Sequence, residues 1–593
     1  MSNKRNKGLR TIAKYDIIKE KAENIMYLKK SKSKNGKIYL SIVHGYWDVK
    51  SKQSRTKTIK KLGYLDELKR QYADPIDHFK QVTEEMNKQA STEKALCKIQ
   101  INPECKIEYD TRKNIGYAPL SMIYHGLELN TLFNNRSRNT KAEYSVNDIM
   151  KTEIFSRILF PGSKKSTYEN RGLFFEKNQY SLIDVYRCLS FINTIREDIQ
   201  LHIHERIVQK YGRTNELMYY DVTNYYFEID EPDELRKKGV SKGHRPDPIV
   251  QMGLFMDSNG VPVTYQLFPG NTNDCETLIP LMKNVKQNYG IKKTIVVADK
   301  GINTQGNIVF NLLKGDGYVY SQTVRGGHKE LKDYVLDSDD YREFGEDSKI
   351  KSRVYPREIV VTDIYGKKKK VRIDEKQIIL YSKKYADRAK TEREAAILKA
   401  HDLVNDPAKY NRATSYGATK YVKNLKFDPD TGEVITTKSK LFFNEEKLRE
   451  EEKWDGYYAI ITSELDKTDK EIIEIYRGLW KIEESFKVTK SDLLTRPVYV
   501  TREDRIQAHF LICFIALTIL RLLEKQLDYK FSASKIAESL SQVIGYPLEE
   551  NWFVFGYVDD VTEEIQKVLG IPLTNKYMQL GIIKNIFANT KKY

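Results

Sequence analysis

The spacing of apolar side chains changes period at about residue 217. Upstream, "YSVNDIMKTEIFSRILFPGSKKS" (144–166) and "SLIDVYRCLSFINTIREDIQLHIHERIVQKYG" (181–212) carry apolar residues three and four apart, the mark of amphipathic helices, with a Pro-Gly stop between them. Downstream, aromatic and β-branched runs at 217–227, 249–257 and 261–268 predict three strands, the last two joined by a "DSNG" turn. "NDCETLIPLMKNVKQNYG" then predicts a helix, with Asn273 and Glu276 read as its cap. A strand follows at 294–298, a helix at 304–313 and a strand at 317–324, which together make an α/β order. From 325 to 453 the chain turns lysine-rich, with the β-like pieces "REIVVTDIYG" and "KQIILYS" and one helical stretch at 384–405, and reads as an insertion. Beyond it, 456–464 predicts a strand and 468–490 one long helix. The apolar stretch 509–523 is broken by Arg521, falls short of a bilayer span and predicts a buried core helix, so no membrane segment is expected.

Two of the predicted strands carry an acid where the pattern calls for an apolar residue. Asp221 interrupts "YYDVTNYYFE" (219–228), and Asp299 ends the run in "TIVVADKG" (294–301). A buried carboxylate is costly unless a cation, a hydrogen-bond network or a metal ion compensates it, and two strands that each deliver one point to a shared site. Oxygen donors suit Mg²⁺, which asks for a further carboxylate from a nearby helix. Helix 468–490 offers Glu483 and Glu484. At roughly 100° per residue, Ile475, Leu479, Ile482 and Phe486 form the core-facing stripe, and Tyr476, Glu483 and Lys490 lie beside it. Glu484 lies roughly 100° further round, near Arg477 and Lys481, and reads as part of a solvated ion-pair face. His202 and His204 stand two apart on a helix, so they point to different faces and do not make a metal pair.

Charge adds a partner to this picture. The 593 residues carry a net charge of +18, and residues 1–70, with 20 basic and 6 acidic side chains, hold +14 of it. That concentration favours a polyanion and marks a basic terminal module. "KIYLSIVHGYWDVKSKQSRTKTIKKLGYLDEL" alternates apolar and polar residues in two β-like runs, so the module is expected to fold as a small β-unit. A helix is expected at 75–98 and a short strand at 106–110. The five cysteines have no CxxC spacing and no even framework, so they support neither a zinc ribbon nor a disulfide scaffold and fit a reducing cytoplasm. No apolar core follows the N-terminal charges, so no signal peptide is expected.

The ordered set "YYDVTNYYFE", "VPVTYQLFPGNTND", "VVADKG" and "AHFLICFIAL", with Tyr476, Glu483 and Lys490 spaced seven apart, resembles the DDE transposases of bacterial insertion sequences. The branch in question carries a Tyr-Arg-Glu-Lys signature on the helix of the third acid; its Arg position is Leu479 here. The resemblance spans about 140–525 and implies a multidomain α/β protein with an RNase H-like catalytic core interrupted by a β-rich insertion. The expected division is a basic N-terminal module at 1–110 that binds DNA ends, a helical region at 111–213, the core at 214–324 and 454–530, the insertion at 325–453 and a C-terminal helical region at 531–593. It further implies that Asp221, Asp299 and Glu483 are catalytic and hold Mg²⁺, with Mn²⁺ able to substitute, and that Tyr476 and Lys490 contact DNA. The implied activity is cut-and-paste transposition on terminal inverted repeats and target DNA, by a homodimer acting in the cytoplasm at the nucleoid. A nuclease without strand transfer and a silent DNA-binding descendant are the alternatives. If hairpin ends form, Trp454, Tyr457 or Tyr458 would offer the aromatic platform for a flipped base. His244 and Arg245, in the loop after the first core strand, are candidates for DNA contact.

Overall fold

The computed structural model describes residues 26–32, 36–48, 53–94, 106, 110–176, 178–214, 216–229, 231–239, 247–362, 366–411, 414–427, 433–435 and 440–593. His244, Arg245 and most of the strand expected at 106–110 lie outside these. The chain divides into two compact units, Met1–Cys105 and Lys106–Tyr593.

In the first unit, strands β1 (Met26–Lys32), β2 (Ile38–Asp48) and β3 (Gln53–Tyr64) form an antiparallel sheet in that order. β1 is absent from the sequence pattern because "MYLKKSK" ends in polar residues and never completes an alternation. Leu40, Leu65, Leu68 and Phe79 are its buried core, the last supplied by helix Pro75–Lys94. Arg55, Lys57, Lys60 and Lys61 of β3 are exposed.

The second unit opens with a two-residue strand, β4 (Lys113–Asn114), and then builds around a nine-stranded sheet. Strands β5 (Leu217–Tyr226), β6 (Ile249–Asp257) and β7 (Pro262–Pro269) are antiparallel neighbours, and β8 (Ile295–Ala298) and β9 (Gly317–Gln322) extend the sheet from the other side of β5 in parallel. Each lies within a residue or two of its sequence-predicted range, since β-branched and aromatic runs bounded by turns leave little choice. Helices Asp274–Asn288 and Gln305–Leu313 make the connections after β7 and β8.

The region 325–453 does not stand apart from this sheet. Strand β10 (Arg342–Glu343) and the long hairpin β11 (Ser348–Thr362) and β12 (Lys368–Ser382) continue it. Helix Lys383–Asn405 and the short pair β13 (Val422–Lys423) and β14 (Phe442–Phe443) follow. The chain re-enters the sheet at β15 (Tyr457–Thr462), which pairs with β12 on one side and β9 on the other. The full order is β10-β11-β12-β15-β9-β8-β5-β6-β7.

One face of β5 joins a core that includes helices Val146–Leu159, Leu182–Thr194 and Glu503–Gln526; the other packs Tyr220 and Val222 against Leu278, Leu281 and Met282. Helix Glu503–Gln526 is long and apolar enough to cross a membrane, yet 94% of its apolar window is buried within the protein. Residues 531–593, expected to be helical, also contribute β16 (Ile544–Pro547), β17 (Trp552–Phe555) and β18 (Tyr577–Gln579), which with β4 form the sheet β18-β17-β16-β4. Runs of three and four residues are too short to declare a period.

Candidate active site

β5 and β8 run parallel with Tyr220 opposite Ala298, and the next residue on each is an acid. The register thereby sets Asp221 and Asp299 side by side where β8 ends, on backbones about 4.8 Å apart. It continues one strand further: Ala298 is opposite Tyr320 on β9, so Ser321 follows in the same row, and its hydroxyl donates to Asp299 Oδ1 at 2.6 Å. Ser321 escaped the sequence reading, although a lone polar residue at this place in a buried strand is the signal that could have found it.

Side chains alternate along β5, so Asp221 shares a face with Tyr219, Thr223 and Tyr225. All three neighbours meet one stretch of chain. A Cβ added at Gly478 would fall 1.9 Å from Tyr219 Oη. Lys490 Nζ donates to Thr223 Oγ1 at 2.5 Å and lies 5.4 Å from the Tyr225 ring, whose hydroxyl is 2.9 Å from Thr489 Oγ1. Asp221 therefore faces the segment between Gly478 and Lys490, where Glu483 stands exposed on helix Trp480–Ser491. Tyr476 closes the group: its hydroxyl donates to Asp299 Oδ1 at 3.4 Å. Burial raises its pKa against the opposing bond with Ser321, and the charges of Asp299 and Glu483 add to the rise, so the phenol keeps its proton.

The third-acid segment departs from its expected form in two ways. The single helix expected at 468–490 is two, Asp469–Arg477 and Trp480–Ser491, joined through a tight turn in which Leu479 N–H reaches Tyr476 O. Gly478 lets the backbone pass against Tyr219, a close approach that periodicity cannot reveal. Glu484, expected on a solvated face with Arg477 and Lys481, instead meets Arg521 Nη2 at 3.4 Å. Arg521 is buried and also donates to Ser485 Oγ at 2.8 Å and Glu524 Oε2 at 2.7 Å. Lys481 donates to Ser258 O, and Arg477 lies over the Phe344 ring. The reason is helix Glu503–Gln526, whose partly polar end packs where a one-helix wheel assumes water.

Gly478→Ala is therefore expected to lower stability by about 1–3 kcal/mol through overpacking. Thermal melts should show the loss, and in the double variant with Tyr219→Ala the two costs should sum to less than their separate values.

The remaining candidates are placed as follows. His202 hydrogen-bonds Leu127 O and His204 meets Arg213, beside the buried Arg213–Asp257 pair. Trp454 and Tyr457 pack in the cluster around Val335 and Ile379, while Tyr458 meets Tyr385 edge-on with ring centres 5.6 Å apart. Asn273 is the N-terminal cap residue of its helix by backbone geometry and donates to Glu276.

Among the described residues, no three acidic, histidine or cysteine side chains close into a ready-made cation site. Asp221 Oδ1 accepts from Val222 N–H, and Asp299 Oδ1 is held by Ser321 and Tyr476. The donor chemistry is nonetheless that of a hard cation: only carboxylate oxygens, with Asp299 and Glu483 exposed. Asp221, Asp299 and Glu483 are the residues that would hold it.

Residues 228–519 match the family described as "Transposase DDE domain", and residues 28–97 match "IS1634 family transposase, N-terminal domain". The larger match, which includes Asp299 and Glu483 and begins seven residues after Asp221, sets the class: a DDE transposase. With the N-terminal match, the chain belongs to the DDE transposases of insertion sequences. Among solved structures it is similar to a Mos1 transposase paired-end complex with left transposon end, at 12% identity and a TM-score of 0.13 over 40% of this chain and 66% of that one. A pre-cleavage Mos1 transpososome is similar at 10% identity and a TM-score of 0.13, over 40% and 66%. The chain thus spans just under two thirds of the length of these proteins. No curated protein matches the chain.

Proposed function

We propose that this protein binds the terminal inverted repeats of its own element, cleaves the DNA strands there and joins the freed ends to target DNA, working as a homodimer on chromosomal DNA in the cytoplasm. The observation that carries the reading is the strand register that sets Asp221 beside Asp299, with Glu483 on the segment facing Asp221. Support for an RNase H-like core comes from the strand order: counted from β5, it runs 3-2-1-4-5, with the first three strands antiparallel and the last two parallel to the first.

Mg²⁺ or Mn²⁺, when bound, supplies activation of the attacking hydroxyl and neutralises charge gathering on phosphorus. The protein's own part is positional. Asp221 and Asp299 are fixed by two rigid strands, Ser321 and Tyr476 hold one oxygen of Asp299 in place, and Lys490 brings a positive charge to the same face. Tyr476 lies close enough to the carboxylates to reach a phosphate seated there, and Lys490 can move from Thr223 to one as a point charge.

The test is a duplex carrying the element end, incubated with the protein and Mg²⁺: nicks at the end boundary, followed by covalent joining to a target duplex, are expected. Cleavage without joining would reduce the protein to a nuclease, and no cleavage would sink the reading.

Two further outcomes follow. Lys490→Ala should slow single-turnover cleavage more than tenfold while Arg477→Ala stays within about threefold, because only Lys490 shares a face with Asp221. Deleting residues 1–70 should weaken end binding and flatten its salt dependence, since that module holds +14 of the +18 net charge. An unchanged slope of affinity against salt would remove the module from the DNA interface.

A further inference from the structure

The loop that follows helix Trp480–Ser491 is held from the inside with unusual thoroughness. Arg157, itself buried, donates Nη1 to Leu493 O at 3.2 Å and Leu494 O at 3.3 Å, and Nη2 to Gly162 O at 2.8 Å. Buried His509 holds the next carbonyl, Thr495 O, at 3.0 Å. Burial first, then the charges of Arg157 and Lys164, push the His509 pKa well down, so the ring is neutral and donates a single N–H. Beneath them Lys164 and Glu153 form a fully buried pair at 2.6 Å. Leu493 and Val500 enter the core at either end. Three consecutive carbonyls are thus tied down by an arginine and a histidine from two different helices.

What this scaffold presents outward is Leu494, at a positive φ of 38° and 42% exposed, then Arg496, then Tyr499, 66% exposed. The Arg496 guanidinium lies 5.2 Å from the ring of Tyr226, the last residue of β5, and pairs with no carboxylate among the described residues. Its neighbour Arg502, by contrast, is neutralised by Asp504 at 3.0 Å. Ordering a loop of this length costs conformational entropy, and a buried arginine costs desolvation. Leu493, Val498 and Val500 offset part of that cost by packing on the core. The gain is a rigid ledge that holds one unneutralised guanidinium and one exposed phenol at a fixed place. Tyr226 is five residues along β5 from Asp221, about 17 Å at the rise of a strand or about five base pairs of duplex, and its side chain leaves the opposite face, so Arg496 lies at the end of the strand, near both Tyr225 and Tyr226.

We propose that the loop Leu493–Arg502 is a DNA-backbone ledge, in which Arg496 clamps a phosphate within half a helical turn of the cleaved bond and Tyr499 packs against the adjoining sugar. The inference rests on the function proposed above and adds to it a second, fixed contact that sets the distance between the bound duplex and the carboxylates. A planar guanidinium matches two phosphate oxygens at once, so lysine in its place keeps the charge and loses the fork.

The experiment uses the full-length protein and a set of element-end duplexes, each with one phosphate near the cut replaced by an uncharged methylphosphonate. With the parent protein, one replacement within about five base pairs of the cut should weaken binding about tenfold. Arg496→Ala should weaken binding to the unmodified duplex by a similar factor, lower the slope of log affinity against log salt by about one, and become indifferent to that same methylphosphonate. Arg496→Lys should restore the slope but only part of the affinity. Arg496 is half-buried over the Tyr226 ring, so melting temperatures are compared for both variants, and Arg496→Lys, which keeps the stem and the charge, separates lost contact from lost fold. If Arg496→Ala binds the unmodified duplex like the parent, or remains sensitive to the same phosphate, the ledge is refuted while parental cleavage leaves the proposed function standing. If the parent neither binds nor cuts the end duplex, both fall together.

Discussion

Asp299→Asn should bind an element-end duplex as the parent does and cut it at least about a thousandfold more slowly. Asparagine keeps the size of the side chain, and its carbonyl oxygen can still accept from Ser321 and Tyr476, so the loop after β8 has no reason to move. Only the negative charge is removed, at a place where the register brings Asp221 alongside. Asp221→Asn and Glu483→Gln should behave alike, and no pair of these changes should be much worse than one, because groups that act as a unit fail as a unit. Ser321→Ala should cost about ten- to a hundredfold, the range expected for a group that orients a ligand without being one. Single-turnover cleavage at fixed Mg²⁺, beside a binding titration of each variant, separates chemistry from affinity. Cleavage by Asp299→Asn within tenfold of the parent would remove Asp299 from the active site.

The second large effect is on stability. Arg521→Ala is expected to cost about 3–5 kcal/mol, because it strands Glu524 as a buried carboxylate and leaves Ser485 and Glu484 without their shared donor. Its pH dependence identifies the cause. In the parent, burial raises the Glu524 pKa and Arg521 opposes the rise. Without the guanidinium the folded-state value climbs further above the unfolded one. A carboxyl raised in this way contributes its stability below the unfolded pKa and loses it as pH rises towards the folded value. The deficit of the variant should therefore shrink in acid and widen towards neutrality. Melts of parent and variant across that range give the answer; a deficit that does not change with pH would mean that the loss is one of packing and not of an unpaired charge. Because Arg521 grips Ser485 and Glu484, the variant should also cut poorly, with Glu483 free to turn. Glu484→Gln, which leaves Glu524 on Arg521, should be mild in both respects.

How much of this could be read from the chain depended on how local the cause was. The strands β5 to β9 and their connecting helices follow from runs of β-branched and aromatic residues between turns, and Asp221 and Asp299 drew attention because they broke those runs. Their adjacency is a matter of parallel register, which two separate strands do not declare. The break at Gly478 answers to Tyr219, some 260 residues earlier, and the pairing of Glu484 answers to a residue on another helix. A helical wheel sees neither. Ser321 stands as a polar exception in a buried strand, and only its bond to Asp299 across the sheet gives that exception a meaning. In the first unit, β1 lacked alternation and was found only through its partner β2.

The place where the chain leaves the sheet and the place where it returns are neighbours. Gln322 at the end of β9 stands opposite Ala459 of β15 in antiparallel register, with all of 323–458 strung between them. The two ends of that excursion are no further apart than the ends of a hairpin turn, and each doubling of its length adds only about 0.6 kcal/mol to the entropic cost of closing the sheet. Such a junction works as a socket: material of any size can be spliced in or out there while the acids on β5, after β8 and on the helix beyond β15 keep their spacing. A lineage carrying this fold can therefore vary the outer part of the excursion without moving the acids, as long as Arg342, Ser352 and Lys376 remain to hold buried Asp469 at the start of the helix beyond β15.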